Sequence, residues 1–306
     1  MNTLAAIDWT AWRQLLRAAN VFTAISNVIA GYLLVMHGWH PWGPLLVLML
    51  ASVLLYEAGM VLNDVYDAEL DKKERPERPI PSGKIARTTA HRVGIALLVA
   101  GVAMAQLVSV LTNQWQTSLV SIALAATIIG YNVGLKSTRF GPLAMAGCRM
   151  LNVLLGASIA GNLATGITAI WLFAWGTFFH TYGLTRVARQ EADSFDHVDL
   201  WVGSAAVLLV PLWLIGLPIT LGEPRLGILF WIALCLGLIG YELWLARRLI
   251  AMPTQKVVRQ TVGSLITLFI VIDAGVSALA AGWLAGAIVL SLLVPTRLLA
   301  RRIAMT

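Results

Sequence analysis

The sequence is short of charge. Asp, Glu, Lys and Arg make up 12% of its 306 residues, about half the roughly 25% of a soluble domain. That scarcity excludes a water-soluble globule, a coiled coil and a disordered chain, all of which need more polar surface. Cysteine is nearly absent. Cys148 and Cys235 both fall inside apolar runs and form no CxxC pair, so neither a disulfide framework nor a zinc site follows. Strict apolar–polar alternation is missing too, which argues against a β-barrel.

What remains is apolar sequence. Hydrophobic residues reach 58% and mean hydropathy is +0.79. They recur in runs of about 20 residues, the length of a helix that crosses a bilayer. The chain is therefore read as an all-α polytopic membrane protein, a single domain over residues 1–306. Expected spans are 15–36, 43–65, 90–111, 115–135, 141–162, 166–187, 200–221, 226–248, 260–281 and 283–301. The hinge at Ala281–Gly282 is short, so nine spans plus an interfacial helix is the other count. Trp9, Trp12, Trp39, Trp42 and Trp115 suit an interfacial aromatic belt. Gly130-x3-Gly134 and Gly282-x3-Gly286 have the spacing of close helix contacts.

Net charge is +7, but its placement points to membrane topology and away from nucleic acid. With ten spans, 20 of the 22 basic residues fall on one side. The positive-inside rule makes that side cytoplasmic and puts both termini there, in a cell (inner) membrane. The acids need their own explanation, because they do not follow that rule. Six of 15 lie in Asp64–Glu77 and four in Glu191–Asp199, following spans 2 and 6 on the basic side.

Asn63, Asp67 and Asp71 are spaced i, i+4, i+8 and form one stripe on a helix, with Asp64 at its border. Like charges so spaced repel, and a cation among them would relieve the repulsion. The ligands on offer are all oxygen, which selects a hard cation such as Mg²⁺, shared with substrate phosphates. Arg75, Arg78 and Lys84 follow in a segment with three prolines, and Lys136 adds a cation after Tyr131. Arg and Lys are phosphate binders, so acids, cation and bases together describe a diphosphate pocket. Arg149, near the cytoplasmic end of span 5, is placed to reach it. Glu57, seven residues before Asp64, shares that face of span 2 and either orients a second substrate or is a hydrogen-bonded structural carboxyl. Asp273 sits near mid-span with no identifiable partner. Glu242 is expected to pair with an Arg of span 8, and His180 is either a core hydrogen bonder or a site residue.

Asn63-x3-Asp67-x3-Asp71, followed by Arg75-x2-Arg78-Pro79-Ile80-Pro81-Ser82-Gly83, resembles the first signature of the UbiA prenyltransferase superfamily. Tyr131-x4-Lys136 resembles that family's Tyr/Lys stretch after its fourth helix. The resemblance implies a bundle of nine to ten transmembrane helices around a central cavity. It implies Mg²⁺-dependent transfer of a prenyl group from a prenyl diphosphate to an aromatic or other small acceptor. It gives Asn63, Asp67 and Asp71 to Mg²⁺, and Arg78 and Lys136 to the diphosphate. Glu191 and Asp193 align with the later acids of the second metal motif; the earlier acid is missing, and Arg186 or Arg189 stands near it. The altered motif, with Gly147-Cys148-Arg149-Met150-Leu151-Asn152-x3-Gly156, resembles a divergent branch, the UbiA-like proteins of the Ebo clusters. A terpene cyclase of the same type, and a non-catalytic lipid or metabolite transporter or binder, are the competing functions. The partners implied are the two substrates and the bilayer, with no nucleic acid and no obligate protein partner.

Overall fold

The computed structural model describes residues 8–17, 20–161, 163, 168–191 and 195–300. Among these there is no strand. The helices are α1 (Trp9–Leu15), α2 (Val21–Met36), α3 (Trp42–Glu74), α4 (Arg87–Thr112), α5 (Trp115–Val133), α6 (Gly141–Ala157), α7 (Thr168–Ala188), α8 (His197–Leu214), α9 (Leu217–Thr220), α10 (Arg225–Ala251), α11 (Gln255–Ala281), α12 (Trp283–Ser291) and α13 (Leu293–Ala300). Three short 3-10 turns follow α5, α6 and α7.

Among the described residues eight helical stretches are long and apolar enough to cross a membrane, against the nine to ten expected, counting α6 with the turn after it, α8 with α9 and α12 with α13 as one each. The other two expected spans are α2 and α7. At 16 residues, α2 is about 24 Å long, short of a roughly 30 Å hydrocarbon core. At 21 residues α7 is long enough, but Thr177, His180, Thr181 and Thr185 make it more polar, and all four are buried. Both helices can be short or polar because protein surrounds them. Consecutive helices from α3 to α8 pack side by side, then α8 on α10, α10 on α11 and α11 on α12, while α2 touches α3, α6, α7 and α11. Large apolar side chains left exposed, such as Val110 and Leu284, lie on the outer helices, and Trp42, Trp115 and Trp283 stand exposed at the first residues of α3, α5 and α12. This is the outer surface of a bundle solvated by lipid.

The close approach of α2 to α6 depends on two glycines. A Cβ on Gly31 would overlap the Val153 carbonyl, and one on Gly156 would overlap the Val28 carbonyl. Of the glycine pairs read from sequence, Gly286 does pack tightly on α11, against Ala278 and Ala274. Gly134 and Gly282 meet nothing within 4 Å, and Gly130 makes only an ordinary contact at 3.5 Å. Gly134 caps α5 and Gly282 caps α11, so both serve chain turns.

The element that builds the site is α3. Its 33 residues extend about 50 Å, so it overshoots the bilayer by about a dozen residues. The overshoot carries Asn63 to Glu74. The segment after it folds back, with Ser82 N–H donating to the Arg78 carbonyl at 2.9 Å and Ile85 N–H to the Pro79 carbonyl at 3.0 Å. Ile80 and Ile85 then bury against Val61, Val65 and Ala68 of α3 and Ala11 and Leu15 of α1. This small second core fixes the direction of Arg78.

Candidate functional site

A cavity of about 570 Å³ opens where α3 overshoots. Its mouth is polar, lined by Asn63, Asp67, Asp71 and Glu74 of α3 and by Arg17, Arg75, Arg78, Lys136 and Arg189. Apolar and aromatic side chains line it as well, with Leu55, Tyr56, Leu124, Ile128, Leu184, Val262, Ile266 and Phe269.

The i, i+4, i+8 stripe is present as read, because Asn63, Asp67 and Asp71 all face the cavity. Each acid of the stripe is paired with a base. Lys136 Nζ lies 2.6 Å from Asp67 Oδ1 and donates to the side-chain and main-chain oxygens of Asn63 at 3.4 Å each. Arg78 donates to both oxygens of Asp71, at 2.9 and 3.1 Å. Asp64 does not line the cavity. It lies beneath, 3.3 Å from Arg17 and 3.6 Å from Arg78, so it braces two basic side chains. Arg17 itself adopts a left-handed backbone at φ 45°, a conformation uncommon outside glycine. Arg189 donates to the carbonyls of Lys136 and Thr138 at 2.7 Å each, tying the end of α7 to the turn that carries Lys136.

Other expected positions divide. Arg75, Tyr131, Arg149 and Asn152 line the cavity. Asn152 is held by Ser52 Oγ, which donates at 2.7 Å, and donates to the Ala24 carbonyl at 2.9 Å. Lys84 does not reach the cavity; it is exposed beyond the turn that buries Ile80 and Ile85. Glu57 does not reach it either. A seven-residue step from Asp64 put it on the face that turns out to pack inward, and it is buried with Oε2 unpartnered. Glu242 is likewise buried with neither oxygen hydrogen bonded, so the expected Arg partner is not there. His180 is a core hydrogen bonder, its Nε2 2.9 Å from the Leu265 carbonyl.

In the second acidic cluster, Asp196 caps α8 by accepting from Val198 N–H at 2.8 Å. Asp199 makes a close ion pair with Arg186 and accepts from Gln190 at 3.0 Å. Both stabilise the α7–α8 junction and neither lines the cavity. Asp193 lies outside the described residues, and Glu191 is described only as the end of the 3-10 turn after α7.

The donor set suits a hard cation in one way only. Among the described residues no three His, Cys, Asp or Glu side chains converge as a metal cluster. Asn63, Asp67 and Asp71 nevertheless offer oxygens from one helix face, and Mg²⁺ typically takes one or two carboxylates and completes its shell with water and substrate phosphate. The residues present therefore fit a metal that arrives with a phosphorylated ligand.

Sequence reasoning missed Arg17, Tyr56, Phe269 and a buried network of Thr23, Ser26, Asn27 and Asp273. The one signal for that network was Asp273, an unpaired acid within a span.

The model of the UbiA prenyltransferase family matches residues 24–262. A digeranylgeranylglyceryl phosphate synthase of Saccharolobus solfataricus is 35% identical over 147 residues, 48% of this chain and 50% of the relative. Another, from Methanoculleus marisnigri, is 31% identical over 62% of this chain and 63% of its own. A third, from Methanopyrus kandleri, is 29% identical over 73% and 75%. The chain thus spans about half to three quarters of the length of these relatives. A solved structure concerning digeranylgeranylglyceryl phosphate synthase in membranes superposes with a TM-score of 0.64 at 18% identity, over 90% of this chain and 98% of the other. A UbiA homolog from Archaeoglobus fulgidus bound to GPP and Mg²⁺ superposes at 0.56 and 15% identity, over 88% and 99%. At these identities the likeness is one of fold.

Proposed function

The chain belongs to the UbiA prenyltransferase family, and on that premise we propose that it transfers a prenyl group from a prenyl diphosphate to a small acceptor at the mouth of its cavity. One observation carries the reading: the oxygen stripe of Asn63, Asp67 and Asp71 and the bases Arg78 and Lys136 share one cavity with a set of apolar and aromatic side chains. A diphosphate fits the mouth and an isoprenoid tail the walls. The concentration of basic residues at that mouth supports a cytoplasmic opening.

In this reading Asn63, Asp67 and Asp71 would hold Mg²⁺, which supplies Lewis-acid stabilisation to the departing diphosphate. Arg78 and Lys136 add charge-assisted hydrogen bonds to the same oxygens as the allylic C–O bond breaks and its electron pair leaves with the diphosphate. The apolar walls keep water from the allylic cation until the acceptor's nucleophile attacks and loses its proton. By name, the relatives make digeranylgeranylglyceryl phosphate, which brings a phosphate-bearing acceptor into the proposal beside the aromatic one.

The test is purified protein incubated with prenyl diphosphates of several lengths, Mg²⁺ and candidate acceptors, read by mass spectrometry and pyrophosphate release. Asp67→Asn and Asp71→Asn are expected to lose turnover by about 100-fold or more while still accumulating in the membrane. Undiminished transfer in either variant would defeat the proposal. Binding of the diphosphate without release would point to a non-catalytic binder.

A further inference from the structure

Arg149 lines the same cavity but lies away from its mouth. Its guanidinium sits 5.4 Å from the ring centre of Tyr56 and 4.9 Å from that of Phe269. Tyr56 precedes Asn63 by seven residues and Asp67 by eleven, about 10 and 16 Å along α3 at 1.5 Å per residue. Arg149 thus meets α3 about two to three turns before the acidic stripe. The cavity therefore has two cationic poles, a mouth and a floor.

The floor is a built site. Arg149 donates to Asn27 Oδ1 at 3.2 Å and to Thr23 Oγ1 at 2.8 Å. These bonds occupy two of the five N–H donors of a guanidinium, and the head remains partly open to the cavity. The amide of Asn27 is oriented from behind, because its Nδ2 donates to Asp273 Oδ2 at 2.8 Å. Ser26 Oγ donates to the same oxygen at 2.5 Å. Asp273 is 1% exposed, and its Oδ1 has no hydrogen-bond partner. A carboxylate, an amide and a guanidinium thus run in line from the core to the cavity wall. A cation within a span costs roughly 2.5–3.5 kcal/mol on insertion scales. Packing does not account for this one, since α2 and α6 are already joined by their glycine contacts and by Asn152.

We propose that Arg149 is the oxyanion subsite for the acceptor. Its in-plane edge takes a phosphate or carboxylate of the acceptor at the floor while the prenyl diphosphate occupies the mouth. Asn27 and Asp273 are positioning residues that hold the guanidinium in place. This rests on the prenyl-transfer reading, and it moves Arg149 from the diphosphate set to the acceptor.

The test is equilibrium binding to the full-length protein in nanodiscs with Mg²⁺ present, with no donor for the acceptor arms. Geranylgeranylglyceryl phosphate is compared with its dephosphorylated alcohol, and 4-hydroxybenzoate with phenol; geranylgeranyl diphosphate is titrated separately. One oxyanion probe should bind about 10- to 100-fold more tightly than its neutral counterpart, the range of a charge-assisted contact. Whichever pair shows the difference names the oxyanion. Arg149→Gln should erase that preference and leave the affinity for geranylgeranyl diphosphate within about twofold. If Arg149→Gln fails to accumulate, Arg149→Lys, which keeps charge but loses the planar fork, should show at least a fivefold loss of preference. Absence of any preference in the unaltered protein would overturn the proposal. So would an Arg149→Gln variant that weakens the diphosphate as much as the oxyanion probe. Failure of the diphosphate to bind at all would strike the prenyl-transfer reading alone, because the oxyanion arms are measured without it.

Discussion

Replacing Arg78 by Gln should destabilise the protein through charges it leaves behind, and the structure sets the size of the effect. Arg78 contacts Asp71 at 2.9 Å and Asp64 at 3.6 Å, and the two carboxylate side chains are only 5% and 7% exposed. Removing one partner of a buried pair typically costs about 3–5 kcal/mol, because the other charge remains without compensation. Asp64 retains Arg17 at 3.3 Å, so the low end applies, about 3 kcal/mol, and nearly all of it belongs to Asp71. A second substitution, Asp71→Asn, removes the stranded charge and should recover about 2 kcal/mol of that loss. The two changes are therefore strongly non-additive. Reversible unfolding in mixed micelles of the single variants and the double variant closes the cycle. Additive effects within about 0.5 kcal/mol would refute the reasoning, as would an Arg78→Gln variant as stable as the parent. The double variant, though more stable than Arg78→Gln alone, should still not bind a prenyl diphosphate, since the proposed phosphate contact and the proposed metal ligand are both gone.

Three further outcomes are expected. Gly31→Val should separate α2 from α6 and cost about 1–3 kcal/mol or more, measured by the same unfolding assay; Gly43→Val, where nothing lies within 4 Å of a new Cβ, is the control. Lys84→Ala should leave stability within about 0.5 kcal/mol and turnover unchanged, because Lys84 is exposed and outside the cavity; a large loss of diphosphate affinity would return it to the site. Magnesium and a prenyl diphosphate should each tighten the other's binding by the same factor, and calorimetry that finds them independent would contradict the pairing of acids with bases at the mouth.

The parts legible in the sequence were those governed by local periodicity. Apolar runs of span length marked the helices, and a four-residue step marked the stripe Asn63, Asp67, Asp71, because both depend only on the geometry of one helix. Lys136 was legible as a cation following a span on the basic side. Long-range choices were not. Glu57 and Asp64 lie seven residues apart on one face, but whether that face turns to cavity or core depends on where α1 and the 75–86 segment pack. Glu242 resembled an interfacial acid because Arg247 and Arg248 follow it closely, yet α10 turns it inward. The Asp273 partners come from α2, some 246 residues away in sequence, and no spacing rule reaches that far. The partners of Asp196 and Asp199 were not legible either. Asp196 and Asp199 sit in an acidic run on the basic side, but their partners are the N-terminus of α8 and Arg186, both at the α7–α8 turn.

The pairing at the mouth explains how α3 tolerates an acidic stripe. Asp67 and Asp71 would repel along α3, but Lys136 and Arg78 neutralise them. Those same bases are the ones proposed to hold the diphosphate. A diphosphate alone must draw Lys136 and Arg78 from their carboxylates, leaving two acids uncompensated at the edge of a low-dielectric cavity. A divalent cation alone must displace the bases and leave two cations without partners. When both ligands arrive together, acids and bases exchange partners and no charge is stranded. Cooperative binding therefore follows from these contacts. Arg149 stands outside this exchange because its nearest partners, Asn27 and Thr23, are neutral. Its charge is balanced only at one remove, through Asn27 to Asp273, so it can meet an anion at the floor without disturbing the mouth.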